Sequence, residues 1–408
     1  MTTPTLPRLL TDAVVRVART MPVVVLTGAR QTGKSTLVRR LLPGERPYYT
    51  LDDLDVRDQA ARSPGELVAR ADAMVLDEVQ RVPDLLLAVK QAVDEDRRPG
   101  RFILTGSSNL LLMPGVSESL AGRATYLNLW PLTRREISGH GRHGLWPELL
   151  EHPVETWVDL LAKGGGEAAD WKKLVKSGGY PVPALTLEDD EDRDIWFDGY
   201  IRTYLERDLQ DLSSIENILD FRRLMGAACL RAGQLVNQTE LGRDVQLPQP
   251  TVRRWLNLLE TSFQLVRLPA YARNRTKRLI KTPKLYWGDT ALSLRLAGLD
   301  EPQGRHLENL VLSDLIAWRD ACPAGRPDLF YWRTTSGEEV DFVVERAGKL
   351  LAIEVKATER PRIGDATHLR TFRDEYGPDV HGCLLLHDGD QVEMLAPRVV
   401  SAPWWMVL

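Results

Sequence analysis

Cysteine is scarce. Cys229, Cys322 and Cys383 are the only three in 408 residues, and they lie far apart with no C-x-x-C among them. Neither they nor the seven histidines show zinc-like spacing. Reduced thiols, as in a cytoplasm, are the simplest expectation. Long apolar runs are also missing. None approaches the roughly 20 residues of a membrane span, so no membrane partner is expected. The N-terminus has no cleavable signal pattern. Excess charge is absent too, with a formal net charge of −4, so any nucleic-acid contact must use a local patch rather than the global field. There is no internal repeat and no low-complexity tail. What remains is 43% apolar and 27% charged, an ordinary globular composition in a chain long enough for two or three domains.

Against that background Gly28-Ala29-Arg30-Gln31-Thr32-Gly33-Lys34-Ser35 stands out as a phosphate-binding loop of the form G-x-x-x-x-G-K-[ST]. It follows the apolar run Val23 to Leu26, which reads as a buried parallel strand, and it opens a helix beginning near Ser35. Backbone N–H groups of the loop, from Gly28 through Thr36, are expected to surround a phosphate chain. Lys34 would reach the β- and γ-phosphates of ATP, and the Ser35 hydroxyl would ligate Mg²⁺. A second apolar run, Ala73 to Leu76, ends in Asp77-Glu78. Asp77 is expected to hold Mg²⁺ and Glu78 to polarise the attacking water. The alternative is a solvated turn after a core strand.

A third strand-like run ends in Leu104-Thr105-Gly106-Ser107-Ser108-Asn109, and Arg123 precedes a fourth, Ala124 to Leu129. This order resembles the AAA+ ATPase core. The resemblance implies that Ser107 and Asn109 lie at the polar strand end called sensor 1. It also implies that Arg123 acts as an arginine finger in a neighbouring subunit, and hence a homo-oligomer. The alternative for Arg123 is a surface arginine at a helix end.

The expected fold class is α/β, in four parts: a P-loop AAA+ core over 1–137, a helical lid over 138–220, a winged helix-turn-helix over 221–290 and an α/β restriction-endonuclease-like domain over 291–408. Thr239 to Val245 and Thr251 to Thr261 read as the two helices of the third part, with Pro250 suited to a helix start. Between Thr251 and Lys284 nine basic residues face one acid, Glu260. A basic helix and wing carrying Arg253, Arg254, Arg273, Arg275, Lys277, Arg278 and Lys281 suit phosphate contacts along DNA. The alternative is a winged helix used for packing.

In the last part, a helix from His306 precedes a strand-like run. A hairpin then turns at Ala347-Gly348 and carries Asp341 and Glu354-Val355-Lys356. Residues two apart on a strand share a face, so Glu354 and Lys356 point together and Asp341 can join them. Two carboxylates and a lysine can bind Mg²⁺ and orient a water against a phosphodiester, with Glu308 as a further ligand. The arrangement resembles the PD-(D/E)xK restriction-endonuclease-like fold, with Asp341, Glu354 and Lys356 in the motif positions and Mg²⁺ or Mn²⁺ as the metal. An edge hairpin with ordinary alternating charges is the other reading.

The whole chain resembles the predicted AAA+ ATPases that join a P-loop core to such a domain. Gly178-Gly179-Tyr180-Pro181, Lys281 to Asp289 and Leu307-Glu308-Asn309 also match recurrent stretches of that family. The leading expectation is an Mg-dependent ATPase that binds DNA and carries a nuclease-like domain. Its rival is a nucleotide-dependent switch whose last two domains only hold DNA or a protein partner.

Overall fold

A computed structural model describes residues 5–42, 44–106, 120–164, 166–208, 215 and 217–408. The N-terminal third is built on five parallel strands: β1 (Val23–Thr27), β2 (Tyr48–Thr50), β3 (Met74–Asp77), β4 (Phe102–Thr105) and β5 (Ala124–Asn128). Their order across the sheet is β2-β3-β4-β1-β5. Every residue of β1 is buried, as expected for a strand covered on both faces. Val23 and Val25 pack with Leu85, Leu86 and Val89 on one side. Val24 and Leu26 pack with Val14 and Val17 of the helix Thr11–Ala18 on the other. The phosphate loop, Asp77 and Thr105 all leave the sheet at the carboxyl ends of β1, β3 and β4, the usual ligand edge of an open parallel sheet.

A second body of helices follows. Helix Asp190–Tyr200 continues as a wider turn through Ile201–Asp208. Then come Ile218–Leu230, Gln238–Asp244 and Gln249–Thr261. Strands β6 (Leu265–Leu268) and β7 (Lys284–Trp287) close it as an antiparallel pair. Phe197, Tyr200, Tyr204, Phe221, Trp255 and Trp287 share its core with Ala29 of the phosphate loop. The connection from β6 to β7 was expected to be a basic loop; it contains the helix Arg275–Ile280, started by the Asn274 side chain accepting from Thr276 N.

The C-terminal sheet comprises β8 (Asp328–Arg333), β9 (Glu339–Arg346), β10 (Lys349–Lys356), β11 (Val380–His387), β12 (Glu393–Ala396) and β13 (Val399–Pro403). Their order is β12-β13-β11-β10-β9-β8. Strands β9 and β10 form the expected hairpin, with Ala347 at φ 50° and Gly348 at φ 79°, the two positive-φ positions of a tight turn. Helix Gly304–Asp320 covers one face through Leu307, Val311 and Leu315. Helix Thr367–Tyr376 covers the other through Leu369 and Phe372. Trp146, Trp157 and Trp171, from helices between 146 and 177, also sit in the first of these cores. The stretch 138–220 therefore contributes to two cores. The turn Gly178-Gly179 docks on buried Asp289, whose Oδ2 accepts from Gly179 N at 2.7 Å.

Candidate functional site

At the carboxyl edge of the first sheet, Gly28 and Gly33 adopt φ 150° and φ 94°. A Cβ on Gly28 would lie 2.3 Å from the Leu129 carbonyl oxygen, so only glycine fits between the loop and the chain leaving β5. Lys34 is buried, and its Nζ donates to the carbonyls of Gly28 (3.0 Å) and Ala29 (2.7 Å). Burial pushes the ammonium down to about 8, against the pull of Glu78 and Asp77. Ser35 Oγ donates to the two carboxylate oxygens of Asp77 at 3.3 and 3.1 Å. Thr32 Oγ1 closes the loop on Ala29 O at 3.0 Å. Arg30 lies over the Tyr204 ring of the helical body, while Gln31 and Thr36 are exposed.

Asp77 is buried and accepts from three hydroxyls: Ser35, Thr105 and Tyr48. Thr105 Oγ1 also accepts from Glu78 N at 3.3 Å. Glu78 takes the left-handed conformation (φ 58°, ψ 42°), costing roughly 1–2 kcal/mol for a residue with a Cβ, a strain typical of functional positions. Its carboxylate accepts from Gln80. Burial and the bond to Asp77 push the Tyr48 phenol well above its usual range. Ser35 and Asp77 thus face one spot beside the loop, and their oxygens are the donor set a magnesium ion takes.

Sequence reasoning did not name Tyr48, and at the polar end of the third strand it chose Ser107 and Asn109 over Thr105. It also missed Arg8, whose buried guanidinium donates to Thr32 O (2.7 Å), Trp130 O (2.7 Å) and Glu136 Oε1 (2.9 Å). This fork ties the phosphate loop to the segment after β5. Nothing local to Arg8 marks it, because all three partners are brought in by the fold. A cavity of about 290 Å³ lies beside Gly33, Ser35 and Thr36, walled by Leu6, Leu37 and Pro181. Ser107 and Asn109 lie outside the described residues. Arg123 immediately precedes β5, at the opposite end of the sheet, and grips Asp94 of its own chain with Nε (2.6 Å) and Nη2 (2.8 Å).

A second set of titratable groups gathers on the C-terminal sheet. Asp341 Oδ2 accepts from Val355 N at 2.9 Å, and Lys356 Nζ donates to Glu354 Oε1 at 2.7 Å. The structure thus brings Asp341, Glu354 and Lys356 together. It adds a residue that sequence reasoning placed elsewhere. Lys284 of β7 is 1% exposed and lies 2.5 Å from Glu339 Oε1 and 3.3 Å from Asp341 Oδ1. Burial alone would lower its ammonium, but Tyr286, Asp341, Glu308 and Glu339 outweigh it and hold it well above the usual range. Glu308 accepts from Tyr286 OH at 3.3 Å. Burial, reinforced by Asp341, raises both Glu308 and Glu354 above ordinary carboxylates. Among the described residues no group of three or more His, Cys, Asp or Glu is arranged to hold a metal ion. Of the expected metal set, Asp341 bonds Lys284, Glu354 bonds Lys356 and Glu308 accepts from Tyr286.

The basic residues divide. Arg253 and Arg254 are exposed on helix Gln249–Thr261, and Arg275 and Lys277 are exposed on the following short helix. Three others contact the C-terminal domain, Arg273 and Lys281 at the surface and Arg278 largely buried. Arg273 pairs with Asp379 at 3.0 Å, Arg278 pairs with Glu345 at 2.5 Å, and Lys281 Nζ lies 3.4 Å from Arg333 O. Arg278 also stacks on Tyr271 and Phe330. These contacts engage three of the seven residues expected on the DNA face at a junction with the C-terminal domain, and Arg278 is the one they largely bury.

Residues 20–138 match an AAA domain (AAA_14), and with the geometry above they form an ATPase-like P-loop domain. Residues 168–303 and 303–405 match two domains of unknown function, DUF8612 and DUF4143. The chain is 34% identical over 373 residues to the uncharacterized protein Rv2008c of Mycobacterium tuberculosis, covering 86% of this chain and 75% of that one. The match to the uncharacterized protein Mb2031c of Mycobacterium bovis has the same extent and identity. The chain belongs to the family of these mycobacterial proteins. Among solved structures it is similar to the Walker-type ATPase PABY2304 of Pyrococcus abyssi, 16% identical with a TM-score of 0.42, covering 72% of this chain and 99% of that one. The Bacillus subtilis DNA clamp loader delta protein is 12% identical with a TM-score of 0.26, covering 76% and 99%. No helix among the described residues is long and apolar enough to cross a membrane.

Proposed function

We propose that the chain is an Mg-dependent ATP hydrolase whose winged-helix module binds DNA. The observation that carries the reading is the joint placement of Lys34, Ser35, Asp77 and Glu78 at one sheet edge, with Asp77 held by three hydroxyls. Lys34 exchanges the carbonyls of Gly28 and Ala29 for phosphate oxygens. Ser35 and Asp77 would hold Mg²⁺, which would supply neutralisation of phosphate charge. Glu78 accepts a proton from the attacking water, and Thr105 holds both Asp77 and the Glu78 backbone in register. Arg123 is free to serve a neighbouring subunit only after releasing Asp94. Arg253, Arg254, Arg275 and Lys277 form the exposed part of the DNA face. The test is steady-state ATP hydrolysis with and without Mg²⁺, and with and without duplex DNA. A purified chain that binds no ATP at millimolar concentration ends this reading.

The C-terminal domain has two readings. Asp341, Glu354 and Lys356 on a hairpin support a nuclease-like sheet. The position of Lys284 favours the switch-like alternative, in which the sheet holds DNA or a partner without cutting. Incubating the protein with linear, circular and single-stranded DNA in Mg²⁺ or Mn²⁺ separates them.

A further inference from the structure

The cluster on the C-terminal sheet has four carboxyl groups (Glu308, Glu339, Asp341 and Glu354) and two ammonium groups (Lys284 and Lys356). Lys356 is half-exposed and engages Glu354. Lys284 is the interior cation, bonded to Glu339 and Asp341 and facing Tyr286. One oxygen, Glu354 Oε2, is buried with no hydrogen-bond partner among the described residues, although Glu354 is only 4% exposed. Buried polar atoms are normally satisfied, yet Lys284 bonds Glu339 and Asp341, and Lys356 bonds the other oxygen of Glu354.

The lysine is not there by the whim of a flexible side chain, because its backbone is pinned. Strand β7 pairs with β6 through Leu268 and Lys284, and Lys284 also bridges to Leu235. Farther along β7, Asn309 clasps Trp287 by both main-chain groups at 2.8 Å. The segment after β6 joins the edge of the C-terminal sheet, with Tyr331 N donating to Pro269 O at 3.0 Å. Arg278 and Arg273 add ion pairs across the same junction. A lysine presented by so fixed a strand is part of the architecture. A divalent ion competing for Asp341 would have to displace a buried ammonium already held by two carboxylates.

We propose that Lys284 is the resident cation of this cluster, taking the place of a divalent metal ion. Removal of its ammonium would leave Asp341 and Glu339, the two carboxylates it bonds, open to a hard divalent cation. Oxygen-only donors favour Mg²⁺, Mn²⁺ or Ca²⁺ over softer ions. The cluster then works in the native chain as an ionic latch between the helical body and the C-terminal sheet. The inference does not depend on ATP hydrolysis.

The test is Mn²⁺ binding to the full chain without nucleotide, counted by electron paramagnetic resonance. The expected result has three parts. Glu354→Gln leaves the wild-type titration unchanged. Lys284→Met gains one site at least tenfold tighter than any in the wild type. Adding Asp341→Asn to Lys284→Met removes it. Two results overturn the proposal: a wild-type Mn²⁺ site lost in Glu354→Gln, or a cooperatively melting Lys284→Met protein with no added site. Should Lys284→Met fail to fold, the wild-type and Glu354→Gln comparison still decides, because a Glu354-dependent Mn²⁺ site in the native chain contradicts a resident lysine.

Discussion

Asp77 and Asp341 are both buried aspartates on sheets, 3% and 7% exposed, each with a glutamate nearby. They are satisfied in opposite ways. Asp77 accepts from hydroxyls of Ser35, Tyr48 and Thr105, all neutral groups able to rotate and become ligands or donors to something else. Asp341 accepts from a backbone N–H and from the Lys284 ammonium. At the first site the partners of Asp77 are neutral, so a phosphate-bound cation could join it at small reorganisation cost. The second already contains its cation. Chemically similar carboxylates therefore support opposite roles, a reactive edge and an ionic joint, and the neighbours decide which.

The largest expected effect lies at the reactive edge. Lys34→Ala should abolish tight ATP binding, because it removes the buried cation that faces the loop's phosphate position. Glu78→Gln should keep binding and lower turnover by about a hundredfold or more, the scale of a lost acid–base group. Equilibrium ATP binding and single-turnover hydrolysis measure the two separately. Wild-type turnover by Glu78→Gln would remove Glu78 from the chemistry and, with it, half of the contrast between the two aspartate sites.

The joint should respond in stability instead of turnover. Asp341→Ala takes one of two carboxylates from the buried Lys284 ammonium, leaving Glu339, and should cost up to about 3–5 kcal/mol, the scale of a broken buried pair. Asp77→Asn keeps an acceptor for the hydroxyls and should change unfolding free energy by about 1 kcal/mol or less, while stopping hydrolysis. Urea denaturation of both variants checks this. Equal destabilisation by the two would show that the neighbours do not distinguish the sites.

The difference in legibility between the two sites has a physical cause. The phosphate loop is a local device. Strand, glycines, lysine and helix start are consecutive, so the sequence carries both the motif and its context. Asp77 and Glu78 were legible because an apolar run ending in acids acquires meaning once such a loop lies upstream. The β9–β10 hairpin was also legible, from its alternation and its Ala-Gly turn. Lys284 was not, because it reads as one more cation in a basic stretch. Only the packing of β7, paired with β6, against the C-terminal sheet brings it to Glu339 and Asp341. The partner of Arg278 was hidden for the same reason, since Glu345 is 67 positions away. Tyr48 and Arg8 show that long-range partners of a local motif leave no mark beside it.

The split among basic residues gives an intermediate effect. Reversing exposed Arg253, Arg254, Arg275 and Lys277 to Glu should weaken duplex binding. It should also reduce the slope of log K against log salt by about one unit for each DNA phosphate no longer neutralised. Arg278→Glu should instead lower the melting temperature, since it puts two carboxylates together at the Glu345 junction. Salt-dependent DNA titrations and melting curves on the same proteins separate surface from joint. A salt slope unchanged by the first set would move DNA elsewhere.

The smallest effect comes from comparing the two buried lysines. Burial dominates at Lys34 and pushes it down to about 8, whereas at Lys284 the surrounding acids override burial. ATP phosphates would stabilise the charged form of Lys34, so the bound state has the higher pKa and binding takes up a proton wherever the empty loop has lost one. Affinity is therefore flat below about 8 and falls as pH rises through it, by about tenfold between roughly pH 7 and pH 9. Lys284 stays charged through the same window, so the ionic joint should not loosen. Calorimetric ATP titrations in buffers of different ionisation enthalpy would detect proton uptake on the alkaline side. Affinity that is constant to about pH 9, with no proton taken up, would mean that Lys34 is charged before the nucleotide arrives and that burial does not set the two lysines apart.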